Sequence, residues 1–116
     1  MKFEWKGVFP AVTTKFTADD KLDFDAFDVN LNAQIEAGVD GIILGGSLGE
    51  ASTLLQDEKD ALLKHTVKAA AGKVPVLMNV AEQSTKVAVD AALKARDNGA
   101  DGVMLLPPMR YTSDDR

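Results

Sequence analysis

GVDGIILGGSLGEAS, residues 38–52, holds the pattern that decides the fold. A glycine and an aspartate lead into a short apolar run, Gly41 to Leu44, which stops at two further glycines. Too short for a helix and bounded by turn residues, the run predicts a buried strand over 40–46. The pattern returns 61 positions later, where Gly99-Ala100-Asp101-Gly102-Val103-Met104-Leu105 matches Gly38-Val39-Asp40-Gly41-Ile42-Ile43-Leu44 position by position. That offset fits two strand–helix units of about 30 residues each. In a closed eight-stranded barrel alternate strands fill the same interior layers, so strands two apart can share one helix-to-strand turn. The bland alternative is that helices end in glycine and Asp-Gly makes turns wherever it occurs. An open doubly wound sheet also alternates strands and helices.

The flanking sequence keeps the alternation. GVFPAV (7–12) reads as a strand ahead of a polar loop, and Phe24, Phe27, Leu31 and Ile35 then recur at helical steps until Gly38. A helix from Asp57 to Ala71 opens on acids and closes near Lys68 and Gly72, matching the helix dipole at both ends. PVLMNV (75–80) is a third strand. Ser84 or Thr85 caps a helix with Ala88, Ala91, Ala92 and Ala95 on one face, which ends at Gly99. A fourth strand follows over 102–107, counting in Pro107 as its stop. Strands that are apolar on both sides, separated by helices, predict a parallel sheet covered by helices.

Composition bounds the function. The chain has 116 residues, 46% hydrophobic, which is one small domain with enough apolar mass for a core. Eighteen acids against thirteen bases give a net charge of −5, and the lysines are scattered, which argues against a nucleic-acid partner or an anionic membrane surface. There is no cysteine, so disulfides, thiolate metal sites and thiol nucleophiles are excluded. MKFEWKGVFP lacks the apolar stretch of a signal peptide, and no apolar run approaches the roughly 18 residues of a membrane span. A soluble, cytoplasmic protein is expected. A complete (β/α)₈ barrel takes about 250 residues, whereas Ser113 and the two acids after it read as the start of a further helix. Residues 1–116 are therefore expected to form the N-terminal half of a single TIM-barrel domain. That half has four strands and three helices, is truncated before the fourth helix, and lacks the C-terminal half. The strands at 7–12 and 102–106 would then be unpaired edges that tend to recruit another chain.

The chemistry concentrates where the second strand stops. Gly45, Gly46 and Gly49 let backbone amides approach a ligand closely, and such amides can cradle an anion. The loop lies at the carboxyl end of a strand, the face on which barrel enzymes place their sites. Ser47 adds a hydroxyl that donates or accepts. A tight strand-to-helix turn with no ligand explains the glycines equally well. Glu50 reads as a turn-stabilising carboxylate, since nothing in the sequence pairs it with a second titratable group. His65, with no partner at helical spacing, reads as solvent-facing rather than as a metal ligand. Trp5 is expected to pack across the barrel bottom or an interface.

GVFPAVTTKFT, GGSLGEASTL with DEK shortly after, and GADGVMLLPP together resemble the opening half of the dihydrodipicolinate synthase/N-acetylneuraminate lyase family. The resemblance covers essentially all of the chain from about Gly7. It implies a TIM barrel and class I aldolase chemistry: a lysine forms an imine with a pyruvate-like 2-oxo acid, and a tyrosine relays protons. Aldol cleavage or condensation, dehydration and deamination all occur on that scheme. The resemblance implies no cofactor or metal, a small 2-oxo acid as substrate, and a homo-oligomer, dimer or tetramer. It places the substrate carboxylate on the GSLGE loop, with Ser47, the amide of Leu48 and Gly46 as its contacts and Ser47 as an auxiliary that orients the tyrosine.

This chain departs from the family pattern at several points. Leu48 replaces the second threonine of the loop, which removes a side-chain hydroxyl and favours a divergent dehydratase, deaminase or aldolase over the synthase. Asn79-Val80-Ala81-Glu82 stands where the family often carries glycines. Pro108 is followed by Met109, Arg110 and Tyr111 rather than by a tyrosine pair. Tyr111 is the candidate relay from a shifted register, and Arg110 a candidate contact for an anionic group.

The imine-forming lysine of the family lies in the second half of the barrel, so none of the ten lysines here is assigned to it. Lys15, after the first strand, is the one conceivable stand-in. The complete protein is thus expected to be a lyase and the 116-residue chain by itself to be inactive. Two other classes stand beside this reading: a non-catalytic half-barrel that assembles with a partner or itself, and a doubly wound domain using GGSLGE as a phosphate loop. The last lacks both G-x-G-x-x-G and G-x-x-x-x-G-K-[ST].

Overall fold

The computed structural model describes residues 3–46 and 49–107. Six regular elements alternate along them: α1 (Phe24–Glu36), β1 (Ile42–Leu44), α2 (Gln56–Ala70), β2 (Val76–Val80), α3 (Thr85–Asp97) and β3 (Gly102–Leu105). The strands form one parallel sheet in the order β1-β2-β3, with Ile42 opposite Val76 and Leu77 opposite Gly102.

The helices begin where their sequence tells them to. Asp23 caps α1 by accepting from the Ala26 amide, and Ser84 caps α3 by accepting from the Val87 amide. At the start of α2 the Glu58 carboxylate reaches back 2.9 Å to the Leu55 amide, satisfying one of the free donors of the first turn. Gly38 and Gly99 end their helices in the same left-handed conformation, with φ of 89° and 99°. Asp40 and Asp101 then each bind the start of the preceding extended segment. The internal repeat therefore marks two equivalent turns, not a coincidence of composition.

Side chains alternate across the sheet and so decide its two faces. Ile42, Leu44, Val76 and Met78 point into a core that also holds Phe27 and Leu31 of α1, Leu62 and Leu63 of α2 and Ala95 of α3. All three helices thus pack on one side. A doubly wound sheet would carry helices on both faces; this is the arrangement of the first units of a (β/α)₈ barrel, and it removes the phosphate-loop reading. On the other face Trp5 and Phe9 lie over the strand starts, Phe9 against Gly41 and Trp5 against Gly102, their rings 6.0 Å apart. Trp5 covers the bottom of the inner face, as expected.

Two expectations need correction. Residues 7–12 form no regular strand. They do run parallel to β1, with Val12 donating to Ile43 and Ile43 donating to Pro10, both at 3.0 Å, but only Ala11 makes a bridge. Pro10 has no N–H to give and Gly7 takes a φ of 97°, so the ladder is interrupted at both places. His65 does not face solvent. Its Nε2 lies 2.6 Å from Asp28 Oδ1, its ring stacks 4.4 Å from that of Phe24, and it joins α2 to α1.

Candidate active site at the carboxyl end of the sheet

Past Leu44 the chain folds tightly back on itself. Gly45 has a φ of 66°, and both Gly45 and Gly46 are buried. Gly49 sits where a Cβ would meet Gly45 N and Val12 O at 3.1 Å and Gly46 N at 3.2 Å. All three neighbours are backbone atoms, so no side chain can move aside, and a methyl at this position is crowded. Glu50 holds a left-handed φ of 60°, and its carbonyl accepts from both the amide (2.9 Å) and the hydroxyl (2.8 Å) of Thr53. Glu50 thus shapes the turn through its backbone. Ser47 and Leu48, predicted to contact substrate, lie outside the described residues, as do Arg110 and Tyr111.

The loop is pinned from three directions. Thr14, in the extended segment before α1, donates its hydroxyl to the Gly49 carbonyl at 2.6 Å in a buried bond. Ala51 donates its amide to the Gly46 carbonyl at 3.1 Å. Asn79, near the end of β2, donates its side-chain amide to the Gly45 carbonyl at 3.1 Å, also buried. Every glycine carbonyl of the loop is therefore occupied by a protein donor. A trans peptide sets its N–H opposite to its C=O, so the amides of Gly46 and Glu50 are turned away from the donors that hold the Gly45 and Gly49 carbonyls.

Beside the loop lies an open cleft of about 390 Å³, lined among others by Gly45, Ser52, Lys59, Asn79, Glu82 and Leu106. Lys59 and Glu82 face each other across it with 3.9 Å between ammonium and carboxylate, their side chains 19% and 27% exposed. Lys15, the stand-in nucleophile of the sequence reading, is exposed. Among the described residues no three His, Cys, Asp or Glu side chains come together to hold a metal ion, and no helix is long and apolar enough to cross a membrane.

Thr14, Asn79 and the Lys59–Glu82 pair were not singled out as site residues by sequence. Asn79 left a trace, being the one polar residue within PVLMNV. Thr14 left none beyond its place after an apolar stretch. The pairing of Lys59 with Glu82 joins a helix to the loop after the next strand, and no local pattern announces it.

A parallel sheet with helices on one side and a glycine loop at its carboxyl end defines the opening units of a (β/α)₈ barrel. The sequence profile of the dihydrodipicolinate synthetase family matches residues 4–115, and the chain belongs to that family. It is 42% identical over 103 residues to a 4-hydroxy-tetrahydrodipicolinate synthase of Sorangium cellulosum, covering 88% of this chain and 34% of that protein. Among solved structures, dihydrodipicolinate synthase DapA-2 of Bacillus anthracis superposes with a TM-score of 0.89 at 31% identity, over 96% of this chain and 38% of that one. YagE of Escherichia coli K12, a prophage protein of the same family solved in complex with pyruvate, superposes with a TM-score of 0.88 at 31% identity, over 95% of this chain and 37% of that one. The chain spans about a third of the length of the relatives it matches.

Proposed function

We propose that this chain supplies the carboxylate-seating part of a Schiff-base-forming lyase that acts on a pyruvate-like 2-oxo acid. The observation that carries the reading is the glycine loop at the carboxyl end of the sheet, with the carbonyls of Gly45, Gly46 and Gly49 all tied to protein donors. With their carbonyls occupied, the loop peptides have only their amides left to offer a ligand, and backbone amides suit a carboxylate. The pyruvate complex of the related YagE adds support.

In this scheme the Gly46 amide, the Leu48 amide and the Ser47 hydroxyl hold the carboxylate, so the adjacent ketone carbon is presented to an amine. That amine attacks the carbonyl carbon, water leaves, and the resulting imine draws electrons from the neighbouring carbon as a bond to it breaks or forms. Tyr111 is the proposed proton relay and Arg110 a contact for a second anionic group. The amine comes from the part of the barrel this chain does not span. Lys15 is exposed, and the Lys59 ammonium faces a carboxylate, whereas imine formation needs a free amine in a desolvated setting.

The test is to add pyruvate to the 116-residue chain, follow the backbone amides by NMR, then reduce with borohydride and weigh the product. Shifts confined to residues 45–50 with no covalent adduct are expected. A stoichiometric adduct at Lys15 or Lys59 would overturn the division of labour. No shift in the loop at saturating pyruvate would remove the carboxylate role.

A second reading is favoured by one observation. Val103 and Leu105, on the outer face of β3, are 41% and 66% exposed, and with Ala88, Val89 and Ala92 of α3 they line an apolar groove of about 470 Å³. A half-barrel that assembles with a partner or with itself would cover it. Light scattering on the chain decides: a monomer at high concentration speaks against self-assembly.

A further inference from the structure

The Gly-x-Asp-Gly repeat contains glycines of two kinds. Gly38 and Gly99 take the positive φ that their turns demand. Gly41 and Gly102 take no positive φ, so the backbone itself does not ask for glycine there. Glycine within or beside a strand weakens it and commonly marks the close approach of another group. Both positions face the inner side of the sheet, since Ile42, Leu44, Val76 and Met78 point to the helices and side chains alternate. Leu77 stands opposite Ile43 on one flank and Gly102 on the other. That row across the inner face carries a side chain on β1 and on β2 and none on β3.

The N-terminal segment fills both vacancies. A Cβ on Gly41 would run into the ring of Phe9, and one on Gly102 would lie 3.3 and 3.5 Å from Cη2 and Cζ2 of the Trp5 indole. The two rings are 6.0 Å apart and tilted by 46°, a favourable aromatic pair. Seats on the first and third strands lie two strand spacings apart, about 10 Å. Four residues of extended chain reach about 13 Å, so the interval between Trp5 and Phe9 suits the distance.

We propose that Trp5 and Phe9 form an aromatic brace across the strand starts, which ties β3 to β1 over β2 and holds the sheet in barrel curvature. Phe9 is the fixed end, because Asp40 grips the adjacent Val8 through both its carboxylate and its amide. Trp5 is the reaching end, seated on Gly102 at the far side of the sheet. Ladder hydrogen bonds join only neighbouring strands and leave each pair free to twist. A tie on the inner side between strands that are not neighbours limits how far the sheet can flatten. The last glycine of each repeat unit is thereby assigned to the brace and not to the turn.

A double-mutant cycle separates the seat from the ring. Gly41→Ala is expected to lower the urea midpoint of the wild-type chain, because the methyl displaces Phe9. In a Phe9→Ala background the same change should raise it slightly, since alanine at an ordinary φ then only restrains the unfolded chain. Trp5→Ala should act locally. Amide exchange over residues 102–105 is expected to quicken about tenfold relative to α1 and α2, the worth of one aromatic contact. Should these variants fail to fold, NMR of the wild-type chain still decides. Cross-peaks are expected between the Trp5 indole and the Gly102 α-protons, and between the Phe9 ring and the Gly41 α-protons.

Absence of those cross-peaks in the folded wild type would overturn the brace. So would a Gly41→Ala loss that is the same with and without the Phe9 ring. Exchange in β3 that is unchanged in a folded Trp5→Ala, or that rises no more than in α1 and α2, would overturn it as well.

Discussion

Asp101 grips Val76 from both sides of one residue. The Val76 amide donates to the Asp101 carboxylate at 2.8 Å, and the Asp101 amide donates to the Val76 carbonyl at 2.8 Å. Asp40 does the same to Val8, at 2.7 Å through its carboxylate and 2.8 Å through its amide. Asp101 fastens the start of β3 to the start of β2, and Asp40 fastens the start of β1 to the extended segment that precedes α1. The two sites differ in burial: Val76 is 1% exposed and Val8 64%.

That difference orders two substitutions. Asp101→Ala leaves the buried Val76 amide without a partner and should cost about 1–3 kcal/mol, whereas Asp40→Ala returns the Val8 amide to water and should cost well under about 1 kcal/mol. Urea unfolding of the two variants measures both. Equal losses would show that the carboxylates contribute by something other than satisfying the strand amide.

Gly49→Ala should disrupt the loop. The added methyl would stand 3.1–3.2 Å from three backbone atoms, and a backbone cannot rotate away as a side chain does. A destabilisation of about 1–3 kcal/mol is expected, together with faster amide exchange over residues 45–50. An alanine variant with wild-type stability and exchange would mean that the loop has a second accessible path.

Thr14→Val tests the pin from the other side. Valine matches threonine in shape but gives the Gly49 carbonyl no donor, leaving a buried acceptor empty at about 1–3 kcal/mol. The exchange protection of the loop should fall while that of β2 is retained. Loss of protection throughout the sheet would instead make Thr14 a core residue.

Ser47→Ala, in the complete enzyme, should lower turnover on a 2-oxo acid about 10- to 100-fold with the fold intact, because a positioning hydrogen bond to a charged group contributes roughly 1.5–3 kcal/mol. Unchanged steady-state kinetics would leave Ser47 as a turn residue only.

Breaking the link between α1 and α2 should be measurable too. His65→Ala removes both the bond to Asp28 and the stack on Phe24, with an expected cost of about 1 kcal/mol. A double-mutant cycle with Asp28→Ala isolates the pair, and zero coupling energy would assign the whole effect to the ring contact with Phe24.

Most of the architecture was legible because local patterns carried it. Ser84, Gly38 and Gly99 mark helix ends by their own chemistry, and the Gly-x-Asp-Gly repeat announced two equivalent turns. The first extended segment was over-read, since an apolar run with a proline cannot say whether the missing donor interrupts the ladder. The site was less legible. The glycines of the loop were visible, but Thr14, 35 residues from Gly49, and Asn79, 34 residues from Gly45, act through contacts with no local signature. His65 was misjudged for the same reason: its partner Asp28 lies on another helix, 37 residues away.

The two aspartate grips also bear on how quickly the sheet assembles. They close spans of 32 and 25 residues, and among the described residues the strands pair in sequence order, each new one on the strand formed a single unit earlier. Chain entropy lost on closing a loop rises only slowly with its length, and topologies built from short closures reach the native state sooner than those that must first join distant segments. Each new strand therefore meets a template that is already in place, and the sheet can grow in the order in which its residues leave the ribosome.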